Sequence, residues 1–299
     1  MLTGSPCPTR THAWSFNALR NPHVPSWGAF ANGTVPKDIA TEGNPDANGC
    51  CDDWEAARQD MVYRNRTAAV VDLDDMLSKI FDGLRGMGVL DATYVFFSSD
   101  NGYHLGEHRM LFGKTKPYHT DVRLPMYVRG PGVPAGLVRP HPTNHLDITA
   151  TIADLAGATS YSPHPLDGQS FAAALTDAPP ALSAWRDFSF SEFYVKQNTW
   201  RNIRQLGADG KPLWAFHLWC TNQTEVYHEA VDPWQMNNLG TDDAFGKRII
   251  GRYTSATEKL GTCVGAACHA MPEAVPASAN PLQCHDPGAL LEVEEAYMD

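Results

Sequence analysis

Asp100 and Asn101 stand side by side where the run Thr93–Ser99 stops and Gly102 follows. A carboxylate and an amide oxygen in adjacent positions are hard donors, the kind that calcium and magnesium take. The run before them is β-branched and aromatic, without glycine or proline, and reads as a buried strand. At the carboxyl end of such a strand in an open α/β sheet the backbone turns away, and side chains are left lining a crevice. The same Asp-Asn-Gly triplet also makes an Asx-turn with no ligand at all. His104 comes directly after Tyr103, and Lys114 follows in the segment GKTKPYHTDVRLP, bringing a point charge into the same stretch. Met126–Arg129 is then a second short apolar strand, closed by Gly130, Pro131 and Gly132.

The ordered set is a strand ending in SDNG, a loop carrying GK, then Y-x-x-x-x-R-x-P leading into a strand and RGPG. It resembles the sulfatase family of the alkaline phosphatase-like superfamily. Matched residue by residue, the resemblance puts Asp100 and Asn101 on the family's calcium ligands and Lys114 on its sulfate-binding lysine. His104, in DNGYH, is similar to the branch that holds glucosamine-6-sulfatases and extracellular heparan endosulfatases; it implies a substrate contact or a proton given to the ester oxygen. His119 departs from the pattern, standing where the family usually has an acidic residue after the tyrosine.

In that family a hydrated formylglycine attacks sulfur, and calcium and basic side chains neutralise the sulfate oxygens. The formylglycine comes from the cysteine of C-x-P-x-R. Cys7 lies one residue too close to its proline and arginine, and no other cysteine has that spacing. Formylglycine is therefore expected to be absent, and the calcium site incomplete. The segment PCPTRTHAWSFNALRNPHVPSWG is instead similar to a later sulfatase segment, which leaves His12 and His23 as surface histidines. The expectation is a family polypeptide without the N-terminal portion that carries the cysteine motif and a completing pair of aspartates.

The elements that must hold these residues have their own signals. Asp52 with Glu55 is a capping-box pattern. The run Trp54–Leu84 carries Leu73, Leu77, Ile80 and Leu84 at one-turn spacing, an amphipathic helix with its stripe on a sheet. Gly83, Gly86 and Gly88 end it before the strand at Thr93, an α-then-β unit of the kind a parallel sheet uses. Asn144–Gly157 reads as a short helix ended by Gly157, with Ala150 where the family usually has proline. Beyond a Pro-rich link, Phe188–Tyr194, Thr199–Leu206 and Leu213–Trp219 read as short aromatic strands. TEVYHEAVDPWQMNNL then resembles a family segment in which His228 and Gln235 replace acidic residues. From Thr241 onward no pattern is visible. The expected fold is α/β: an alkaline phosphatase-like, mostly parallel sheet flanked by helices, with a small antiparallel C-terminal domain. The expected divisions are 1–175 for the catalytic part, 176–245 for the small domain, and 246–299 for an irregular Cys-containing tail.

A chain of 299 residues with a formal charge of −11 is a poor partner for nucleic acid, and it shows no basic run. No stretch has the apolar length of a membrane span, and the first residues lack the pattern of a signal peptide. Sequons at Asn32, Asn65 and Asn222, together with seven cysteines, suit an oxidising compartment, so a secreted, lysosomal or extracellular protein is expected. A zinc site from Cys263, Cys268, His269, Cys284 and His285 is the alternative use of the last cysteines, although its spacing fits no standard finger. The leading functional expectation is hydrolysis of sulfate monoesters, of the aryl sulfate or glucosamine 6-sulfate type, by the intact family member, with a sulfated carbohydrate or aryl sulfate ester as partner and this chain poorly active. Its rivals are a phosphodiesterase or phosphonate hydrolase of the same superfamily, and a catalytically dead sulfated-glycan-binding protein. Oligomeric state is not readable from these residues.

Overall fold

The computed structural model describes residues 53–108, 110, 112–158, 164–194, 199–239 and 244–272. These fall into two compact units. One contains 53–114 and 123–137; the other contains 115–122 and everything from 138 onward.

The first unit opens with helix α1, Asp53–Gly86. The capping pattern at Asp52 lies outside the described residues. The burial of this helix corrects the sequence expectation. Leu73, Leu77 and Leu84 are only half-buried and Ile80 is 46% exposed, so no fully buried stripe lies on a sheet; periodicity defines an apolar face but not what covers it. Strand β1, Val95–Ser98, is likewise half-buried at all its positions.

Short strands β2, His104–Leu105, and β3, Phe112–Gly113, form an antiparallel ribbon. A one-turn helix α2, His119–Val122, precedes strand β4, Met126–Arg129. β1 pairs with β4 in antiparallel register, Val95 opposite Arg129 and Ser98 opposite Met126. A parallel sheet was expected around β1, yet every strand pairing among the described residues is antiparallel. A parallel partner needs a crossover connection, and the strand that β1 meets is the one that returns alongside it. Gly130 lets this pair close, since a Cβ there would lie 2.1 Å from Tyr94 Cδ1. The Tyr94 hydroxyl donates to the Pro131 carbonyl at 2.8 Å.

The second unit contains helix α3, His145–Leu155, with a capping box in which Asn144 and Asp147 satisfy each other's ends. Strands β5 Phe188–Phe193, β6 Trp200–Leu206, β7 Pro212–Trp219 and β8 Thr224–Tyr227 form a meander in the order β5-β6-β7-β8, all antiparallel. This is the small antiparallel sheet expected from the aromatic strands, with one more strand than the pattern gave. Its two faces follow the two-residue period of a strand. Ile203, Phe216, Leu218 and Val226 form the apolar face, joined by Tyr253, Ala256 and Leu260 from helix α4, Ala244–Leu260. That helix overturns the expected irregular tail. Ile249, Tyr253, Ala256 and Leu260 recur at helical spacing, and their burial on the sheet outweighs the low helix propensity of the Gly, Thr and Ser residues between them.

The opposite face is covered by the segment 115–122. The Trp200 indole N–H donates to the Thr115 carbonyl at 2.7 Å, and the Asn202 amide donates to the Pro117 carbonyl at 3.1 Å. Cys263 and Cys268 are joined by a disulfide after α4. The zinc alternative loses two of its ligands to that bond. No helix among the described residues is long and apolar enough to cross a membrane.

Candidate functional site

The end of β1 is fixed by its own hydroxyls. Ser98 Oγ donates to the Pro125 carbonyl at 2.8 Å, which ties the strand end to β4, and Ser99 Oγ donates to the Asn101 carbonyl at 2.8 Å. The chain turns at Asp100, whose Oδ1 accepts the Asn101 N–H at 2.8 Å. The Asn101 side chain is oriented in turn, because its Nδ2 donates to the Gly102 carbonyl at 2.7 Å. Its remaining acceptor, Oδ1, receives the Lys114 ammonium at 3.1 Å. The same ammonium lies 3.9 Å from Asp100 Oδ2.

Lys114 arrives there because of the β2–β3 ribbon. His104 pairs with Gly113, so the next residue out on β3, Lys114, comes level with Tyr103 and the loop that carries Asn101. Gly113 has a specific part in this: a Cβ on it would lie 3.2 Å from His104 Nε2, so a bare backbone is what lets the imidazole lie against the ribbon. His104 is 5% exposed. The Tyr103 and His104 rings stack with centroids 6.4 Å apart. The structure thus brings Asp100, Asn101 and Lys114 to one place, and holds His104 on the adjacent ribbon with its ring packed inward.

The electrostatics of the trio are those of a surface site. The Asp100 and Lys114 side chains are 81% and 53% exposed, where an ion pair contributes little stability. Their charges are therefore available to a ligand at small cost. Asp100 and Asn101 provide hard oxygens, the right kind for calcium, but two donors fall short of the six to eight that calcium takes. Among the described residues no group of three or more His, Cys, Asp or Glu side chains is placed to hold a metal ion. Two such oxygens alone would hold calcium only weakly.

Two arginines of α1 escaped the sequence reading. The Arg66 guanidinium lies 3.8 Å from the Tyr103 ring centroid, and that of Arg58 lies 4.8 Å from the Phe112 ring centroid. Tyr103 precedes β2 and Phe112 belongs to β3, so α1 holds both the loop end and the ribbon through cation–π contacts. Nothing in their spacing marks them out, because the contact depends on how the helix lies over the ribbon.

In the second unit Glu225, within the motif after β7, is buried and accepts from four donors. They are Tyr118 Oη at 3.3 Å, Trp219 Nε1 at 3.2 Å, Tyr227 Oη at 2.8 Å and His217 Nδ1 at 3.3 Å. Burial, and then the Glu225 charge, push the Tyr118 and Tyr227 hydroxyls well above the usual tyrosine range. This cluster anchors the segment 115–122 that follows Lys114; it is a structural network, enclosed on all sides.

The sulfatase family model matches residues 15–158, and the model described as N-sulphoglucosamine sulphohydrolase, C-terminal, matches 106–259. The sulfatase ppz1 of Metarhizium majus is 30% identical over 271 residues, 88% of this chain and 57% of that protein. An arylsulfatase of Volvox carteri is 30% identical over 233 residues, covering 69% of this chain and 35% of its own length. An N-acetylglucosamine-6-sulfatase of Capra hircus is 26% identical over 241 residues, 70% of this chain and 42% of that one. The chain thus spans from about a third to somewhat over half of these relatives.

Among solved structures, one determined with its substrate D-glucosamine-2-N,6-O-disulfate has a TM-score of 0.53 and 24% identity, over 69% of this chain and 40% of that chain. The phosphonate monoester hydrolase of Agrobacterium radiobacter has a TM-score of 0.63 and 20% identity, over 82% of this chain and 53% of that chain. These likenesses place the fold in the alkaline phosphatase-like α/β class.

Proposed function

Since the chain belongs to the sulfatase family, we propose that the whole protein hydrolyses sulfate monoesters, of the aryl sulfate or glucosamine 6-sulfate type, and that Asp100, Asn101, His104 and Lys114 form part of its site. The observation that carries this reading is the Lys114 ammonium 3.1 Å from Asn101 Oδ1 and 3.9 Å from the Asp100 carboxylate. A cation-binding pair of oxygens and a cationic anion-binding group are held within contact of each other, which is what a sulfate bound beside a metal requires. Sulfatases use a metal ion; calcium, when bound, would supply Lewis-acid charge to the sulfate oxygens. From this chain, Asp100 and Asn101 would each give one oxygen to that ion.

Lys114 would leave its present partners and neutralise one sulfate oxygen. The inward His104 ring, moved toward the ester, would contact the sugar or donate a proton to the leaving oxygen. The nucleophile is not among these residues: no cysteine of the 299 is followed by x-P-x-R. The chain by itself would therefore recognise a sulfate ester without turning it over. The Cys263–Cys268 disulfide supports a secreted, lysosomal or extracellular setting.

The test is binding of glucosamine 6-sulfate with and without calcium, alongside hydrolysis of chromogenic aryl sulfate and aryl phosphonate esters. Weak, calcium-dependent binding is expected, reduced roughly 10- to 100-fold by Lys114→Ala, the magnitude of a lost charge-assisted hydrogen bond. Binding indifferent to both calcium and Lys114→Ala would reject the site. Robust turnover abolished by Lys114→Ala would show that a nucleophile of another kind is present, and turnover confined to the phosphonate ester would move the substrate class.

A further inference from the structure

The hairpin joining β7 and β8 carries chemistry that sulfate-ester hydrolysis does not use. The Trp219 N–H donates to the Gln223 carbonyl at 2.9 Å, and the Asn222 N–H donates to the Trp219 carbonyl at 3.0 Å. A turn closed in this way needs a left-handed residue before the returning strand, and Asn222 takes it with φ of 67°. After glycine, asparagine is the residue that occupies this region most readily. Thr221, Asn222 and Gln223 are all exposed, and Thr224 opens β8. Asn222, Gln223 and Thr224 also form an N-x-T triplet without proline, the acceptor pattern for N-linked glycan. Turn geometry and acceptor chemistry thus coincide at one protruding side chain.

We propose that Asn222 is an N-glycosylation site and that Asn65, in an equally good triplet, is not. Asn65 lies in the middle of α1. Successive helical residues are about 100° apart, so Asn65 and Thr67 point in nearly opposite directions. The Thr67 hydroxyl is already donated to the Tyr63 carbonyl at 2.8 Å. The helical spacing in α1 separates the acceptor amide from the hydroxyl, whereas Asn222 stands exposed at a hairpin turn with Thr224 two residues on. The Cys263–Cys268 disulfide is the independent observation: it belongs to the oxidising compartment in which such transfer takes place.

In the transfer, Asn222 Nδ2 forms a bond to the anomeric carbon of a lipid-pyrophosphate-linked oligosaccharide. The bond from that carbon to the pyrophosphate oxygen breaks, the lipid pyrophosphate leaves with the electron pair, and Nδ2 gives one proton to a base of the transferase.

The experiment expresses the 299-residue chain behind a cleavable secretion signal in a eukaryotic cell that makes N-glycans. Cell-associated and secreted material are both treated with an amidase that converts glycosylated asparagine to aspartate in heavy-oxygen water. Peptide mapping should find heavy aspartate at position 222 and unchanged asparagine at 65. Thr224→Ala, which leaves the left-handed residue in place, should abolish the label at 222. So should Asn222→Gly, which keeps the turn, while Thr224→Ser should retain it. Because cell-associated material is read as well, a variant that fails to leave the cell still reports. Unmodified Asn222 in wild-type protein whose Cys263–Cys268 bond has formed would overturn the proposal, as would a label at Asn65 in preference to Asn222.

Discussion

Raising the pH should unfold the C-terminal unit through three tyrosines. Tyr118 and Tyr227 are held well above the usual tyrosine range, first by burial and then by the Glu225 charge. Tyr253, whose hydroxyl donates to Gln205, is pushed up to about 12, chiefly by burial. A folded-state value above the unfolded one means that this contribution to stability is complete below pH 10 and is lost as pH rises, because the unfolded chain releases protons that the native one retains. Each such group costs about 1.4 kcal/mol of stability per pH unit once the unfolded tyrosine ionises. Three together cost about 4 kcal/mol per unit, against a total of about 5–15 kcal/mol for a typical domain.

Urea titrations followed by tryptophan fluorescence, from about pH 9 upward, measure the slope, and tyrosinate absorbance measures ionisation on the same samples. Tyr253→Phe should remove about a third of the slope while costing only about 1 kcal/mol at lower pH for its lost hydrogen bond. The reasoning fails if all the tyrosinate absorbance develops near pH 10 while the native fluorescence persists, since the buried hydroxyls would then be ionising inside the folded unit.

Gly168→Ala should cost more than about 3 kcal/mol, because the new Cβ would lie 2.0 Å from the Leu146 carbonyl oxygen, a backbone obstacle; Gly83→Ala in α1, with nothing within 4 Å, should instead stabilise by about 0.5–1 kcal/mol, and thermal melts compare the two. Arg204 reaches Glu229 through two hydrogen bonds of 2.6 and 2.7 Å. Arg204→Ala should lose about 3–5 kcal/mol by stranding a buried carboxylate, and adding Glu229→Leu should recover part of the loss in the same denaturation assay. Reducing Cys263–Cys268, which closes a sequence separation of five, should lower stability by about 2 kcal/mol on the loop-entropy account.

What the sequence disclosed about this chain follows the range of the interaction. The turn at Asp100 and Asn101 is written in local residue types, whereas the two-residue ribbon that brings Lys114 to Asn101 lies in a stretch that read as a loop. The antiparallel meander was likewise legible, from β-branched and aromatic runs between turns. Helix α4 was not. Gly246, Gly251, Thr254 and Ser255 dilute its local signal, and it holds together through Tyr253, Ala256 and Leu260 packed on strands far away in sequence. The antiparallel pairing of β1, where a parallel sheet was expected, has a related reason: an apolar run announces a strand but says nothing of which neighbour it will meet.

Two of the departures from the family pattern, His119 and Gln235, make sense as a pair in space. The His119 backbone N–H donates to Gln235 Oε1 at 3.0 Å, and Gln235 Nε2 donates to Glu229 Oε1 at 3.3 Å. Gln235 is 1% exposed, so its amide must both accept and donate to be satisfied, and it does. A glutamate at 235 would keep the first bond but set a second buried carboxylate against Glu229, which already pairs with Arg204. The acid usual after the tyrosine, at 119, would add a third negative group to the same corner. Histidine there instead packs its ring edge against Trp234, with centroids 5.6 Å apart. Each replacement takes a negative charge away from one of two neighbouring positions linked by the His119 N–H bond to Gln235. Gln235→Glu should therefore destabilise the chain more at neutral pH than at pH low enough to protonate the added carboxylate, and urea midpoints at the two pH values check it. Equal loss at both would mean that shape, not charge, holds the corner.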